Sequence, residues 1–215
     1  GISDFFFDDF HHNGAYLLSY WRATALFGYQ KDAPTTESWY ELPGLGTQDQ
    51  YQFFLDHTPL SSLDEYYKED NEFWQQLKDH PNYDEFWESR GIIQHLDDVK
   101  PAVMIVGGLF DAEDLYGPFN EYKKIEETSN TYNILVYGPW SHGDWAREGG
   151  RQSVGNVYFE DSLSTRYQQD YETKFFNHFL KQNGKGSLDL AEAHIYDTGK
   201  REWTDYEQWP PKNTV

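Results

Sequence analysis

Two short apolar runs, each ending at a glycine, constrain the fold of this chain more than any other feature. Residues 102–106 read AVMIV before Gly107, and residues 133–137 read NILVY before Gly138. Runs of this length are typical of strands that are buried on both faces of a parallel sheet. The helical pattern of residues 115–127 between them completes a strand-helix-strand unit. The sequence therefore predicts an α/β fold.

Helical patterns dominate the hundred residues before this unit. The spacing of Ala15, Leu18 and Trp21 predicts one helix. Residues 61–65 (SSLDE) resemble a capped helix start, with a glutamate three residues after a serine, and predict a second helix that continues to about Leu77. We therefore expect this part of the chain to consist of helices and long loops.

Shorter signals mark the remaining elements. Residues 84–89 predict a short helix, and residues 164–180 predict a long one that covers the sheet and ends at the GKG of residues 184–186. The last zone, residues 188–215, alternates like strands around a turn at residues 197–200. This zone is either an edge hairpin on the α/β body or the opening of a β domain.

Charge and composition narrow the classes of partner. The formal net charge of -20 argues against nucleic acid, which binds through Lys and Arg. A cationic ligand would be attracted more easily, but solubility is the favoured explanation of the acidity. The sequence contains no cysteine, which excludes disulfides and thiolate catalysis. No apolar run approaches the ~20 residues of a membrane span, and residues 1–9 show no signal-peptide pattern. We expect no membrane association and no cofactor, and a homo-oligomer is left open.

Reactive side chains follow both predicted strands. Asp111 comes after the first strand and His142 after the second, and the carboxyl ends of adjacent parallel strands meet at one edge of a sheet. An acid followed by a histidine, with a serine earlier in the chain, is the order found in α/β hydrolases. We therefore predict that Asp111 and His142 are the acid and the base of a Ser-His-Asp triad. The alternative is an aspartate that caps a helix and a structural histidine.

The nucleophilic serine is not recognisable within these 215 residues. A nucleophile elbow requires glycine two positions before and two positions after the serine. None of the twelve serines meets this condition; Ser141, for example, follows Pro139, and Ser153 follows Arg151. We therefore expect the nucleophile and its oxyanion donors upstream, and we expect the chain by itself to be inactive.

Several segments together carry a family resemblance. They read DDFHHNGAY at residues 8–16, YDEFW at 83–87, GGLFDAEDLYG at 107–117, VYGPWSH at 136–142, YDTG at 196–199 and WP at 209–210. They resemble the α-amino-acid ester hydrolases and the related cocaine esterase, glutaryl cephalosporin acylase and X-Pro dipeptidyl-peptidase group. The resemblance extends over nearly the whole chain.

The resemblance implies a three-part enzyme with an α/β-hydrolase core, an inserted helical cap and a C-terminal β jelly-roll domain. Residues 1–100 would form a mainly helical cap region. Residues 101–186 would form the end of the core, which carries Asp111 and His142. Residues 187–215 would form a β hairpin at the start of the jelly roll. A periplasmic or secreted location is also favoured by the resemblance.

The resemblance further implies a substrate site made of three carboxylates. In the α-amino-acid ester hydrolases three acids bind the α-ammonium group of the substrate, and the matching positions here are Asp9, Glu113 and Asp114. Carboxylates ~4 Å apart repel each other by about 4 kcal/mol at an effective dielectric of 20, and a bound ammonium would relieve this repulsion. The alternative is structural: Asp9 caps a helix near His11, and the other two acids lie in a first helical turn.

These observations predict hydrolysis or acyl transfer of esters or amides of α-amino acids, including β-lactam acyl side chains, through an acyl-serine. The expected partner is a small-molecule substrate with a cationic amino group. A glutaryl cephalosporin acylase, an X-Pro dipeptidyl-peptidase-like hydrolase and a noncatalytic binding module are the alternatives. A calcium site at Asp111, Glu113 and Asp114 is a further alternative, but the EF-hand pattern is absent and no metal is predicted.

Overall fold

The chain divides into two compact units, which are described separately. The computed structural model describes residues 3–29, 31–36, 42, 44–67, 71–147, 151–181, 188–212 and 214. Gly1–Asp8 and Gly91–Val215 form the sheet unit, and Asp9–Arg90 forms the helical unit. The π-helical turn Phe6–Phe10 contains the first boundary between them. No helix among the described residues is long and apolar enough to cross a membrane.

A short hairpin opens the helical unit. Strand β1 (His11–His12) pairs antiparallel with β2 (Ala15–Tyr16). Asn13 and Gly14 connect them with φ angles of 53° and 81°, the positive values that a type I′ turn requires. The helix predicted through Ala15 is therefore wrong at its start, because the Asn-Gly turn directs the chain into a strand.

Short helices make up the rest of the helical unit. They are the 3-10 segments Leu18–Trp21 and Leu60–Tyr66 and the α-helices α1 (Thr24–Gly28), α2 (Gln50–Asp56), α3 (Glu72–Asp79) and α4 (Glu85–Glu88). Asp49, Asn71 and Asp84 cap α2, α3 and α4 through side-chain oxygens that accept backbone N–H groups. Trp21 is fully buried and packs edge-on against Phe53. The short helix predicted at residues 84–89 is confirmed, and the role of this unit as a cap stays a prediction.

The helix predicted to begin near Ser62 and to continue through α3 is not a single element. The 3-10 segment Leu60–Tyr66 begins without a side-chain cap, and Ser62 lies inside it. The prediction of a capping box with Glu65 is therefore wrong. Helix α3 has its own cap, because the side chain of Asn71 accepts the backbone N–H of Trp74 at 2.9 Å.

The sheet unit is built on a four-stranded mixed sheet. Its strands are β3 (Val103–Gly108), β4 (Asn133–Gly138), β7 (Ala193–Asp197) and β8 (Glu202–Tyr206), in the order β3, β4, β7, β8. Strands β3 and β4 are parallel, and Gly108 lies opposite Gly138 at their ends. Strand β7 is parallel to β4, and β8 is antiparallel to β7. The two predicted strands and their parallel pairing are confirmed.

Helices cover both faces of this sheet. On one face lies α5 (Tyr116–Thr128), and on the other lie α6 (Leu163–Tyr167), the π-helical turn Gln168–Glu172 and α7 (Thr173–Leu180). Tyr122 of α5 packs with Leu135, whereas Tyr167 packs with Val136. Successive side chains of β4 thus serve opposite faces, and all of β4 is buried. This explains why its sequence reads as a nearly continuous apolar run.

Smaller elements complete the sheet unit. They are the 3-10 segments Ile93–His95 and Asp144–Ala146 and a hairpin of β5 (Ser153–Val154) with β6 (Val157–Tyr158). The predicted long helix is confirmed over residues 163–180, with a π-helical turn in its middle. Its predicted end at residues 184–186 lies outside the described residues.

The last zone of the chain joins the core sheet. Strands β7 and β8 form the expected hairpin, and the side chain of Asp197 accepts the backbone N–H groups of Gly199 and Lys200 in the predicted turn, each at 2.9 Å. Because β7 pairs with β4, the structure supports the edge hairpin on the α/β body. The start of a jelly-roll domain stays a prediction.

Gly108 permits the close approach of the loop that follows β4. A Cβ atom at this position would lie 2.4 Å from the carbonyl oxygen of Trp140, and a backbone atom cannot move aside cheaply. We expect Gly108→Ala to lower the free energy of unfolding by about 1 to 3 kcal/mol, as overpacking does in well-packed cores. Urea unfolding followed by circular dichroism measures the difference.

Gly44→Ala is the matched control for this substitution. A Cβ atom at Gly44 would meet no atom of the described residues within 4 Å, so the free energy of unfolding should change by no more than about 0.5 kcal/mol. Equal effects of the two substitutions would contradict the proposed crowding at Gly108.

Candidate active site

Asp111 lies in the turn that follows β3, and backbone groups hold its carboxylate. Its side chain is fully buried. Oδ1 accepts the backbone N–H of Glu113 at 2.9 Å and that of Asp114 at 3.1 Å. The orientation of this carboxylate is therefore fixed by the turn itself.

His142 lies in the turn that follows β4, and a second buried aspartate shapes this turn. Oδ2 of Asp144 accepts the backbone N–H of Ser141 at 3.2 Å and its hydroxyl at 2.5 Å. Gly143 has a φ of 70° and precedes the 3-10 segment Asp144–Ala146. Arg147 donates from Nη2 to the carbonyl oxygen of His142 at 3.0 Å. The backbone on both sides of His142 is thereby restrained.

The two side chains predicted to be catalytic meet at the ends of the adjacent strands. Nδ1 of His142 lies 3.2 Å from both carboxylate oxygens of Asp111. This contact requires a hydrogen on Nδ1 and leaves Nε2 as the nitrogen that can exchange a proton. The imidazole side chain is 46% exposed, so Nε2 belongs to an accessible ring. The structure brings the predicted pair within hydrogen-bond reach, and its catalytic role stays a prediction.

Two more carboxylates surround the imidazole. Oε2 of Glu113 lies 3.6 Å from Nε2 of His142, and Oδ2 of Asp114 lies 3.7 Å from Nδ1. Helix α5 begins only at Tyr116, and Asp114 is buried. The alternative that placed both acids in a solvated first helical turn is therefore wrong.

One oxygen of the buried Asp114 carboxyl lacks a hydrogen-bond partner in the described structure. Its Oδ1 is buried and makes no hydrogen bond within the described part of the chain. Burial raises the pKa of Asp114, and the negative charges of Asp111 and Asp8 raise it further, against a lowering by His142. A cation near this carboxyl would relieve the desolvation and the repulsion together.

Asp9 belongs to the helical unit and is buried within the π-helical turn Phe6–Phe10. The alternative that it caps a helix near His11 is wrong, because β1 (His11–His12) occupies that position. Its grouping with Glu113 and Asp114 stays a prediction. Neighbouring residues of a strand face opposite sides, so His11 and His12 of β1 do not face one common site.

Asp8 is a site-supporting residue that the sequence reasoning missed. It is fully buried, and its Oδ1 accepts the backbone N–H of Gly117 at 2.7 Å. Its Oδ2 accepts the backbone N–H of Ser3 at 2.8 Å. Burial raises the pKa of Asp8 even though these hydrogen bonds lower it. Asp8 thus caps the first turn of α5, whose own N-cap residue Leu115 makes no side-chain cap.

The cluster of Asp111, Asp114 and His142 offers ligand atoms that lie within 4.8 Å of one another, as a metal site would. Its geometry fits a hydrogen-bonded pair better. Nδ1 of His142 needs its hydrogen for the contact with Asp111, so it has no lone pair for an ion. Calcium requires six to eight oxygen ligands, and one carboxylate oxygen of Asp111 already accepts two N–H groups.

The charges around His142 determine its titration. Burial lowers the pKa of His142, but the carboxylates of Asp111, Glu113 and Asp114 outweigh this effect and raise it above the usual 6.5. Because the pKa is raised in the folded protein, the ion pairs stabilise the fold fully below pH 6.5. This stabilisation is lost as the pH rises through the folded pKa.

We expect His142 to titrate above pH 6.5 in NMR spectra of its ring nitrogens, and Asp111→Asn to lower its pKa. His194 provides an internal control, because burial lowers its pKa even though Asp205 raises it. It should therefore titrate below 6.5. A titration of His142 at or below that of His194 would contradict the ion-pair geometry.

Comparisons with known proteins agree on one family. A cocaine esterase of Rhodococcus sp. strain MB1 Bresler is 24% identical over 146 residues, which are 65% of this chain and 23% of that protein. An aminopeptidase of a marine sediment Thaumarchaeota archaeon has a TM-score of 0.81 and 28% identity over 99% of this chain and 34% of that chain. An α-amino acid ester hydrolase has a TM-score of 0.82 and 25% identity, with 98% and 34% covered.

This chain thus spans about a third of the length of its structural relatives. These relatives are hydrolases of the α/β type, in agreement with the mixed sheet between helices. The family model for X-Pro dipeptidyl-peptidases (S15 family) matches residues 1–144, a stretch that includes both Asp111 and His142. The chain belongs to the X-Pro dipeptidyl-peptidase (S15) family.

Proposed function

We propose that this chain supplies the acid and the base of a serine hydrolase or acyltransferase that acts on esters or amides of α-amino acids. The observation that carries the proposal is the contact between Asp111 and His142 at the ends of adjacent parallel strands. β-Lactam acyl side chains with a free amino group belong to the same substrate class. The nucleophilic serine lies outside these 215 residues.

In the proposed mechanism the two ring nitrogens of His142 have different roles. Asp111 accepts a hydrogen bond from the Nδ1–H group of His142. Nε2 therefore carries the free lone pair of the ring and faces the reaction. Nε2 takes the proton of the serine hydroxyl as the oxygen attacks the carbonyl carbon, and it then gives this proton to the leaving group. An acyl-serine remains. Water, or an amine in acyl transfer, repeats the sequence and releases the acyl group.

The proposed substrate class rests on the carboxylates beside this imidazole. In an α-amino ester the ammonium is one carbon away from the scissile carbonyl. A group that binds it must therefore lie close to the nitrogen that serves this carbonyl, and Glu113 lies 3.6 Å from Nε2. Asp114 adds a buried carboxyl oxygen without a partner in the described residues. We include Asp9 as the third acid of the site.

Two related functions and one unrelated function compete with this proposal. An X-Pro dipeptidyl-peptidase-like activity is favoured by the family match, and its peptides also carry a free amine. A glutaryl cephalosporin acylase would bring a substrate carboxylate toward Glu113 and Asp114, which is electrostatically unfavourable. A noncatalytic binding module would have no serine. The complete reading frame decides this last case, because the proposed function requires Gly-x-Ser-x-Gly before Gly1.

In the full-length enzyme we expect Asp111→Asn to lower kcat about 10⁴-fold, because the imidazole then adopts the wrong tautomer. His142→Ala should lower kcat at least as much. The measurement is hydrolysis of an activated ester, with folding checked by circular dichroism. The control is His95→Gln, at an exposed histidine of the 3-10 segment Ile93–His95, which should leave kcat nearly unchanged. Full activity of the Asp111 variant would refute the triad.

The substrate class is tested by Glu113→Gln in the full-length enzyme. The ratio of kcat/KM for a phenylglycine ester to that for the matching phenylacetic ester should fall about tenfold or more, corresponding to ~1.4 kcal/mol. Only the amino ester loses a charge-assisted contact. Glu127→Gln removes an exposed carboxylate from α5 and should leave the ratio unchanged. An unchanged ratio in both variants would restrict the assignment to a general esterase or acylase.

A further inference from the structure

Glu113 faces the nitrogen of His142 that the triad needs. Asp111 and Asp114 both lie beside Nδ1, whereas the carboxylate of Glu113 lies 3.6 Å from Nε2. A general base accepts its proton at a heavy-atom distance of about 2.6 to 3.2 Å, so the serine hydroxyl must come to the same atom. When Nε2 is protonated and paired with Glu113, it has no lone pair for the serine.

We propose that Glu113 is a substrate-operated latch on the general base. Without a cationic substrate, the Glu113 carboxylate pairs with the protonated Nε2 and holds His142 in its inactive imidazolium form. When the α-ammonium of a substrate arrives, the carboxylate pairs with it instead, and Nε2 releases one proton to solvent. The base is then ready for the serine. This inference rests on the proposed function and adds that the ammonium activates the catalytic base.

Glu113 has the partial exposure that an exchange of partners requires. Its side chain is 39% exposed, and no other contact of its carboxylate is recorded among the described residues. The backbone N–H of Glu113 is held by Asp111 at 2.9 Å. The residue thus combines a backbone held by Asp111 with a side chain whose described contact is with His142, and this side chain can turn from the imidazole to a ligand without moving the triad.

The other charged groups near His142 lie on the Nδ1 side of the ring or on its backbone. Asp111 and Asp114 lie beside Nδ1 in the turn after β3, and the negative charge of Asp8 raises the pKa of Asp114. Arg147 is held on the carbonyl oxygen of His142. Exchange of partners at Glu113 is the step that distinguishes a cationic substrate from a neutral one.

The experiment compares pH profiles of kcat in the full-length enzyme with phenylglycine methyl ester and phenylacetic methyl ester. The acid limb of kcat reports protonation of the base in the enzyme-substrate complex. In the parent enzyme, the acid limb should lie at lower pH for the amino ester. On that limb its kcat, relative to its plateau, should exceed that of the neutral ester about threefold or more, as expected for one charge at this distance.

Glu113→Gln should move the acid limb of the neutral ester to lower pH and abolish the difference between the two substrates. Glu127→Gln should change neither limb. A purely structural role of Glu113 would lower both plateaus without moving the limbs. Coincident limbs in the parent, or an unmoved limb of the neutral ester in Glu113→Gln, would overturn the latch.

The same data separate failure of the latch from failure of the proposed function. If the plateau ratio of kcat/KM for the amino and neutral esters falls in Glu113→Gln but the acid limbs coincide throughout, Glu113 binds the ammonium without controlling the base. If that ratio does not change, Glu113 does not bind the ammonium, and the substrate class and the latch are both refuted. Thermal unfolding confirms that each variant is folded.

Discussion

The register between β3 and β4 is the constraint on which the site depends. Because Gly108 lies opposite Gly138, the two strands end together and their loops begin side by side. The pairing continues past the strands, where Phe110 donates its N–H to the carbonyl oxygen of Trp140 at 3.0 Å. A slip of one residue would turn every side chain of the strand to the other face and shift its end by about 3.3 Å. Such a shift is about as long as the distance that separates Asp111 from His142, so it would break their contact.

The parts of this architecture that leave local patterns could be read from the sequence. Buried parallel strands appear as apolar runs, so β3, β4 and the meeting of their ends were predictable. The cap of α5 was not, because Asp8 precedes Gly117 by 109 positions and only the folded chain connects them. Asn13 and Gly14 are a different case. The Asn-Gly hairpin signal and the helical spacing predict different structures there, and the turn determines the outcome.

The electrostatics of the site arise from an excess of carboxylates around one imidazole. Asp114 and His142 both have raised pKa values, the first chiefly through burial and the second through its acidic neighbours. Both shifts favour the protonated forms, so the cluster retains protons more strongly than its separate groups would. A cation supplied by a ligand can replace those protons. In the proposed function, negative charge at this position would connect the recognition of an amine with the protonation state of His142.

The buried aspartates and the partly exposed Glu113 differ in how firmly the protein holds their carboxylates. Asp8, Asp111 and Asp144 are almost fully buried, and each accepts backbone N–H groups that offset the cost of burial and fix the loops. Carboxylates held in this way cannot follow a ligand without breaking the turns that they stabilise. Glu113 is partly exposed, and its side chain is not tied to the backbone in the described structure. Glu113 is therefore the carboxylate of this cluster best placed to exchange partners, and it lies beside Nε2, the atom proposed to transfer the proton.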